Sequence, residues 1–199
     1  MDARQEKTTA RLREAVLTLA TAGPITDVSV SRLAQTAHVH RSTVYAYASS
    51  PVELLQRVLR AELDELRSAY LVDVAPEDAL AAITGVTHAV LEHVDEHDAI
   101  YRRGLGADSG SASLHALLSE HFQGSMELLL DQHSVTVPAS DDQERRMIAR
   151  YVADGIIGAI DVWLNGPAPR DVERLFGLLS RVMPPWWPGA VSGRERMSA

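Results

Sequence analysis

The sequence predicts an all-α protein of about nine helices, and three observations predict it. Nearly every segment repeats its apolar residues with the 3.6-residue period of a helix, and no useful length alternates apolar and polar residues as a strand would. Start and stop signals punctuate the chain at helical intervals: Ser50-Pro51 with Glu53, Ser140 with Gln143, Gly23-Pro24 and Asn165-Gly166. The apolar runs are short, far below the roughly 20 residues that span a bilayer. There is no internal repeat.

Taken in order, "RLREAVLTLATAG" places Leu12, Ala15, Val16 and Leu19 on one stripe, with Arg4, Lys7 and Arg11 on another face. Ser29 is the expected N-cap of a short helix over 30–37, with Leu33, Ala34 and Ala37 inward. A brief turn leads to a second short helix over 41–47. Ser50, Pro51 and Glu53 open a long helix, "SSPVELLQRVLRAELDELRSAY". "PEDALAAITGVTHAVLEHVDEH" and "DAIYRRGL" follow. "GADSGSAS" is the most loop-like stretch, and a helix is expected over 114–132 after it. Ser140 with Gln143 opens a helix that runs to Leu164, Pro169 lies near the start of the last helix, and "MPPWWPG" ends it. The expected organisation is a three-helix head at 1–50, a larger helical body at 51–190, and a disordered tail at 191–199.

Charge is uneven along the chain. The net charge is −8, but residues 1–50 hold six Lys/Arg against four Asp/Glu, so the rest carries −10. A basic head on an acidic body suits anion binding at the head alone. The absence of cysteine excludes disulfides and thiolate metal sites. The charged N-terminus has no apolar signal region, and a cytoplasmic location is expected.

Two short helices joined by a turn, directly after a longer one, form a helix-turn-helix candidate. The stretch "VSVSRLAQTAHVHRSTVYAYASSPVELL" resembles the DNA-binding head of TetR-type transcriptional regulators. That family shows a hydroxyl cap, an aliphatic-Ala pair, Ala-Gly-Val at the turn and a Thr-aliphatic-Tyr recognition core. A Tyr or His, a Phe, and a Lys opening the fourth helix follow. Ser29, Leu33-Ala34, Ala37, Val39, Thr43-Val44-Tyr45, Tyr47 and Glu53-Leu54-Leu55 fall at matching spacing. The likeness is detailed over residues 8–60 and architectural beyond. The chain departs from the pattern at His38 (turn glycine), His40 (helix cap), Ala48 (Phe) and Pro51 (the phosphate-meeting Lys). At Pro51 a phosphate could use only later amides of that helix end and its dipole.

The resemblance implies groove contacts from Arg41, Ser42, Thr43 and Ala46, with Arg41 suited to guanine O6 and N7. It implies phosphate contacts from Tyr47 and Ser31, while Tyr45 and Val44 pack the head together. With few cations, single-site affinity is expected to be modest, and a homodimer on a palindromic operator supplies the rest. The expected dimer surface is Ile148, Val152, Gly155, Ile156, Ala159, Ile160, Leu175, Phe176 and Leu179, with Trp186 and Trp187 folded over it. An unidentified, mostly apolar effector is expected between 60 and 165, lined by Tyr70, His88, Leu91, Tyr101, His121, Phe122, Met126 and Trp163.

"HVDEH" at 93–97 formally matches H-x-x-E-H, a zinc-peptidase pattern whose histidines share one helix face. Five-residue matches arise by chance, so neither a catalytic metal nor a cofactor is assigned. A regulatory metal site drawn from His88, His93 or His97 belongs to the rival reading: a helical small-molecule or metal-binding protein with weakened or lost DNA binding. No Ser-His-Asp order, glycine-rich phosphate loop or carboxylate pair points to an enzyme.

Overall fold

In a computed structural model describing residues 3–106 and 113–188, the described chain forms nine α-helices and no strand. Helix α1 spans Ala3–Ala22 and buries the expected Leu12, Ala15, Val16 and Leu19. A 3-10 turn, Ile25–Asp27, leads to α2, Val30–Thr36, capped by Ser29, whose hydroxyl accepts from the Arg32 amide. Helix α3, Arg41–Tyr47, begins at His40 without a side-chain cap bond. Helix α4, Pro51–Leu71, has Ser50 as cap and buries Leu54, Leu55, Leu59, Leu63 and Leu71.

The turn between α2 and α3 explains how a histidine replaces the family's glycine. His38 sits at φ 52, in the left-handed region. Its amide donates to Gln35 O at 3.2 Å and the Val39 amide to Ala34 O at 3.0 Å, which satisfies two carbonyls at the end of α2. His133 at φ 59 closes α7 by the same pair of bonds, to Leu130 O and Leu129 O. A Cβ in this conformation is strained, but histidine tolerates it better than branched residues do.

The body continues with α5 (Ala79–Glu96), α6 (Asp98–Leu105), α7 (Ser113–Asp131), α8 (Asp142–Leu164) and α9 (Val172–Val182). Two helix caps differ from the sequence expectation. Helix α8 is capped by Asp141, which accepts from the Glu144 amide, while the Glu144 carboxylate accepts from the Ser140 amide. Helix α9 is capped by Asp171, so it begins after Pro169. In both places a carboxylate caps the N-terminus, where the helix dipole favours negative charge. The expected tail at 191–199 and most of "GADSGSAS" lie outside the described residues.

Helices α7 and α8 pack together, α4 packs on α5 and α7, and α9 lies against α5 and α8. Helix α1 touches both α4 and α6. The buried residues form one continuous cluster from Leu12 to Leu179 that crosses the expected head–body boundary. Polar bonds reinforce that crossing. Arg13 Nε donates to Glu62 Oε1 at 2.8 Å, and Arg103 donates to the carbonyls of Ala20 and Thr21 at the end of α1. Arg57 of α4 donates to Tyr47 O at 2.7 Å.

The left-handed histidines give a direct test. His38→Gly should raise unfolding stability by about 1 kcal/mol by relieving the Cβ clash, partly offset by glycine's larger chain entropy. Urea melts read this, and a neutral or destabilising result removes strain from the account of the turn.

Candidate functional site

On α3, fully buried Val44 and nearly buried Ala48 lock one side into the core. The helical period then turns Arg41, Ser42, Tyr45 and Ala46 outward, all exposed, while Thr43 and Tyr47 are half-buried. Ser31 and Arg32 of α2 are exposed, as are Lys7 and Arg11 of α1. One assignment changes, and one residue gains a partner. Tyr45, expected to pack the head, is 54% exposed and belongs to the outward set. Tyr47 leans on α1: its hydroxyl donates to Gln5 O at 3.5 Å and accepts from Thr9 Oγ1 at 3.4 Å. The i, i+4 spacing of Arg41 and Tyr45 was the sequence signal for this face.

The start of α4 also departs from expectation. Pro51 is buried, and the following amides serve the helix's own cap, with Glu53 N donating to Ser50 Oγ at 3.1 Å. The Glu53 carboxylate accepts from the Ser49 amide at 2.8 Å and pairs with Arg57 at 2.6 Å. The hydrogen bonds from Ser49 hold this carboxyl below its usual range. A fixed negative charge therefore stands where a phosphate was expected to use the helix end.

Inside the body, a cavity of about 50 Å³ is lined by residues of α4, α5, α7 and α8, among them Val90, His121, Phe122, Ser125 and Met126, and by Trp187. Three of the eight expected lining residues, His121, Phe122 and Met126, meet there. Tyr70 is exposed, its ring covering Gly85 so closely that a Cβ there would lie 2.6 Å from it. His88 stacks on Phe176 with ring centroids 4.1 Å apart. Leu91 and Tyr101 are buried elsewhere in the core, and Trp163 lines an outer cleft beneath Arg170. Trp187 was missed because nothing in its spacing ties the C-terminal segment to α5 and α7.

His121 is the polar feature of this cavity. It is 4% exposed, and its Nδ1 has no hydrogen-bond partner among the described residues. Burial first, then the charges of Arg67 on α4 and His93 on α5, push its pKa down to about 3, so the ring is neutral at pH 7.

No family model and no curated protein matches the sequence. Solved structures match in fold over most of the chain. A tetR-family transcriptional regulator from Streptomyces coelicolor shares 24% identity at a TM-score of 0.61, over 90% of this chain and 79% of that one. A dihydroxyacetone kinase operon activator, DhaS, shares 20% identity at 0.61, over 86% and 91%. The Thermus thermophilus regulator FadR, solved with lauroyl-CoA, shares 18% at 0.53, over 93% and 100%. The chain has the TetR-type fold.

In this TetR-type fold the surface of α8 and α9 differs from the expected dimer set. Val152, Ile156, Ile160, Leu175 and Leu179 are buried within the single chain, while Ile148, Ala159 and Phe176 are half-buried. The outward apolar stripe is one helical step away: Met147, Tyr151 and Val162 on α8, and Leu178 and Val182 on α9. Tyr151 is 77% exposed. Gly155 is the one expected residue on that face, and neither it nor Gly158 would place a Cβ within 4 Å of a neighbour. Trp187 lies against the internal cavity rather than over this stripe.

A second polar cluster lies between α4, α5 and α6. Glu62 Oε2 is 3.2 Å from His97 Nε2 and 3.6 Å from His93 Nδ1, and His93 Nε2 is 3.0 Å from the Tyr101 hydroxyl. Burial pushes the Glu62 carboxyl up, but the His97 hydrogen bond and the Arg13 charge outweigh it and hold it below the usual range. His88 is elsewhere, 3.4 Å from Glu173 of α9. Among the described residues no helix is long and apolar enough to cross a membrane.

The neutral His121 gives a pH dependence of known sign. Its folded pKa, about 3, lies below the unfolded value near 6.5, so the unfolded chain takes the proton first and stability falls as pH drops below about 6.5. Between pH 7 and 5 this costs about 2 kcal/mol. His121→Phe should flatten that part of the pH–stability curve in denaturant melts, and an unchanged slope would place the titration elsewhere.

Proposed function

We propose that the protein is a TetR-type DNA-binding transcriptional regulator, acting as a ligand-responsive repressor that binds a palindromic operator as a homodimer. The observation that carries this reading is the outward set Arg41, Ser42, Tyr45 and Ala46 on α3, backed by a buried Val44. Arg41 offers the forked donors that recognise guanine, and Ser42 and Ala46 suit close approach to base edges. Lys7 and Arg11 on α1 and Arg32 on α2, all exposed, are cations available to phosphates. Ser31 and Tyr47 keep their proposed phosphate contacts, with Tyr47 made by the edge of a ring braced on α1. Thr43 stays in the groove set as a half-buried contact.

For the dimer, the occupant of the α8–α9 stripe is a second copy of the chain. Gly155 and Gly158 let a partner helix approach closely, and Met147, Tyr151 and Val162 supply the apolar contact around them. For the effector, the apolar walls around His121, Phe122 and Met126 suit a mostly apolar small molecule. The present 50 Å³ is far below the roughly 300–1,000 Å³ of small-molecule sites. Effector binding therefore requires the walls to part, and Trp187 is the lining residue that lies outside the helices. The competing reading, a ligand-binding protein without DNA affinity, draws on Glu53 at the start of α4.

Selection from a random duplex DNA pool at low salt decides between them. A palindromic enriched site supports the regulator, and no enrichment from a confirmed dimer overturns it. Arg41→Ala should then relax preference at one base pair per half-site, a loss of about 1–3 kcal/mol per contact. Tyr151→Glu should leave the helical content unchanged, shift the protein to monomer in sedimentation, and weaken operator binding. A dimeric Tyr151→Glu protein would move the interface off this stripe.

A further inference from the structure

The geometry points to a divalent transition-metal site formed by Glu62, His93 and His97. The donor atoms of these three residues lie within 4.8 Å of one another. His93 and His97 are one helical turn apart at the end of α5, so both imidazoles face the same way. The acid is supplied by α4. Glu96, which the H-x-x-E-H spacing offers, is exposed, and Glu62 stands between the rings instead.

The surroundings are those of a prepared ligand set. The outer partners leave one donor of each residue free for a metal. Tyr101, fully buried, is 3.0 Å from His93 Nε2, which leaves Nδ1 directed at Glu62. Arg13 takes Glu62 Oε1 at 2.8 Å, which leaves Oε2 for the histidine side. His97 presents Nε2 at 3.2 Å from that same oxygen. The side chains of all three are largely shielded, at 13%, 9% and 18% exposure.

Two imidazoles and one carboxylate define the ion class. Zinc, cobalt, nickel and copper take imidazole nitrogen, whereas calcium and magnesium prefer all-oxygen sets. Three protein ligands leave a further coordination position open on a tetrahedral ion. Bonds of about 2.0–2.1 Å set neighbouring ligands roughly 3.3 Å apart, close to the 3.2 and 3.6 Å from Glu62 to the two imidazoles, while the imidazole nitrogens, within 4.8 Å of each other, would draw together around an ion. A bound ion would tie α4 to the α5–α6 junction and, through the Glu62–Arg13 pair, reach α1. None of the three ligands lines the cavity at His121, and the site does not depend on the head binding DNA.

The test uses tag-free, full-length protein stripped of metal by chelation. Cobalt(II) titration should produce visible ligand-field absorbance that saturates at one ion per chain, and zinc should displace it. Zinc should also raise the melting temperature of the wild type. Glu62→Gln, His97→Ala and His93→Gln should each weaken cobalt binding at least about tenfold. His88→Ala, which removes a histidine outside the cluster, should leave it intact. Wild-type protein without the cobalt spectrum overturns the proposal, whatever the variants do. So does a one-to-one spectrum that survives in every folded cluster variant, because the ion then sits elsewhere.

Discussion

Helix α4 is packed from both sides, and this constraint fixes the relation of the head to the body. Its leucines, Leu54, Leu55, Leu59, Leu63 and Leu71, are buried along its length while α1 covers it on one side and α5 and α7 on others. Burying a leucine contributes roughly 1.5–3 kcal/mol, so this one stripe outweighs any of the surface ion pairs around it. Because α1 touches α6 as well as α4, it cannot keep all its present contacts if α4 shifts against the body. Glu62 sits midway along this shared helix, bonded to α1 on one oxygen and facing α5 with the other.

The ends of α4 are held as firmly as its middle. Ser50 and Glu53 close its start. At its far end Gln132 donates to Leu71 O and accepts from the Val74 amide, while Ser134 donates to Val74 O. A comparable clamp holds the segment before α9. Arg170 reaches Asp95 at 2.9 Å and Asp98 at 2.7 Å across the α5–α6 junction, with its guanidinium over Trp163. Much of the body's acid is therefore neutralised by arginine within the chain. The net −8 is a poor guide to what any one face presents.

How much of this was legible in the sequence differs by level. Helix order and the buried stripe of α1 followed from the 3.6-residue period and the caps, because burial and amide satisfaction act locally. The α8 boundary slipped by one residue because Ser140 and Asp141 are adjacent and both can cap; the carboxylate took the position. The expected dimer set falls largely in the chain's own core for a different reason. Helix α8 is apolar on two faces, so its most aliphatic stripe fills the chain's own core and leaves Met147, Tyr151 and Val162 outside. Periodicity finds an apolar face but cannot say which of two is already used. Likewise the spacing of His93 and His97 displayed the pair, while the carboxylate that joins them comes from another helix. Within α3, the outward place of Tyr45 was readable from its spacing to Arg41, but the aromatic ring was assigned to packing.

Trp187 has a consequence for how this body could diversify. Most of the cavity wall is helical, and those residues also bear the load of the fold, so changing them risks the core. Trp187 stands past the end of α9, where its amide donates to Pro184 O in a short turn. A single exchange there would resize the chamber at a residue that belongs to no helix, although its ring packs against the core. The size of the chamber and the order of the helices are in that sense written in separate parts of the chain.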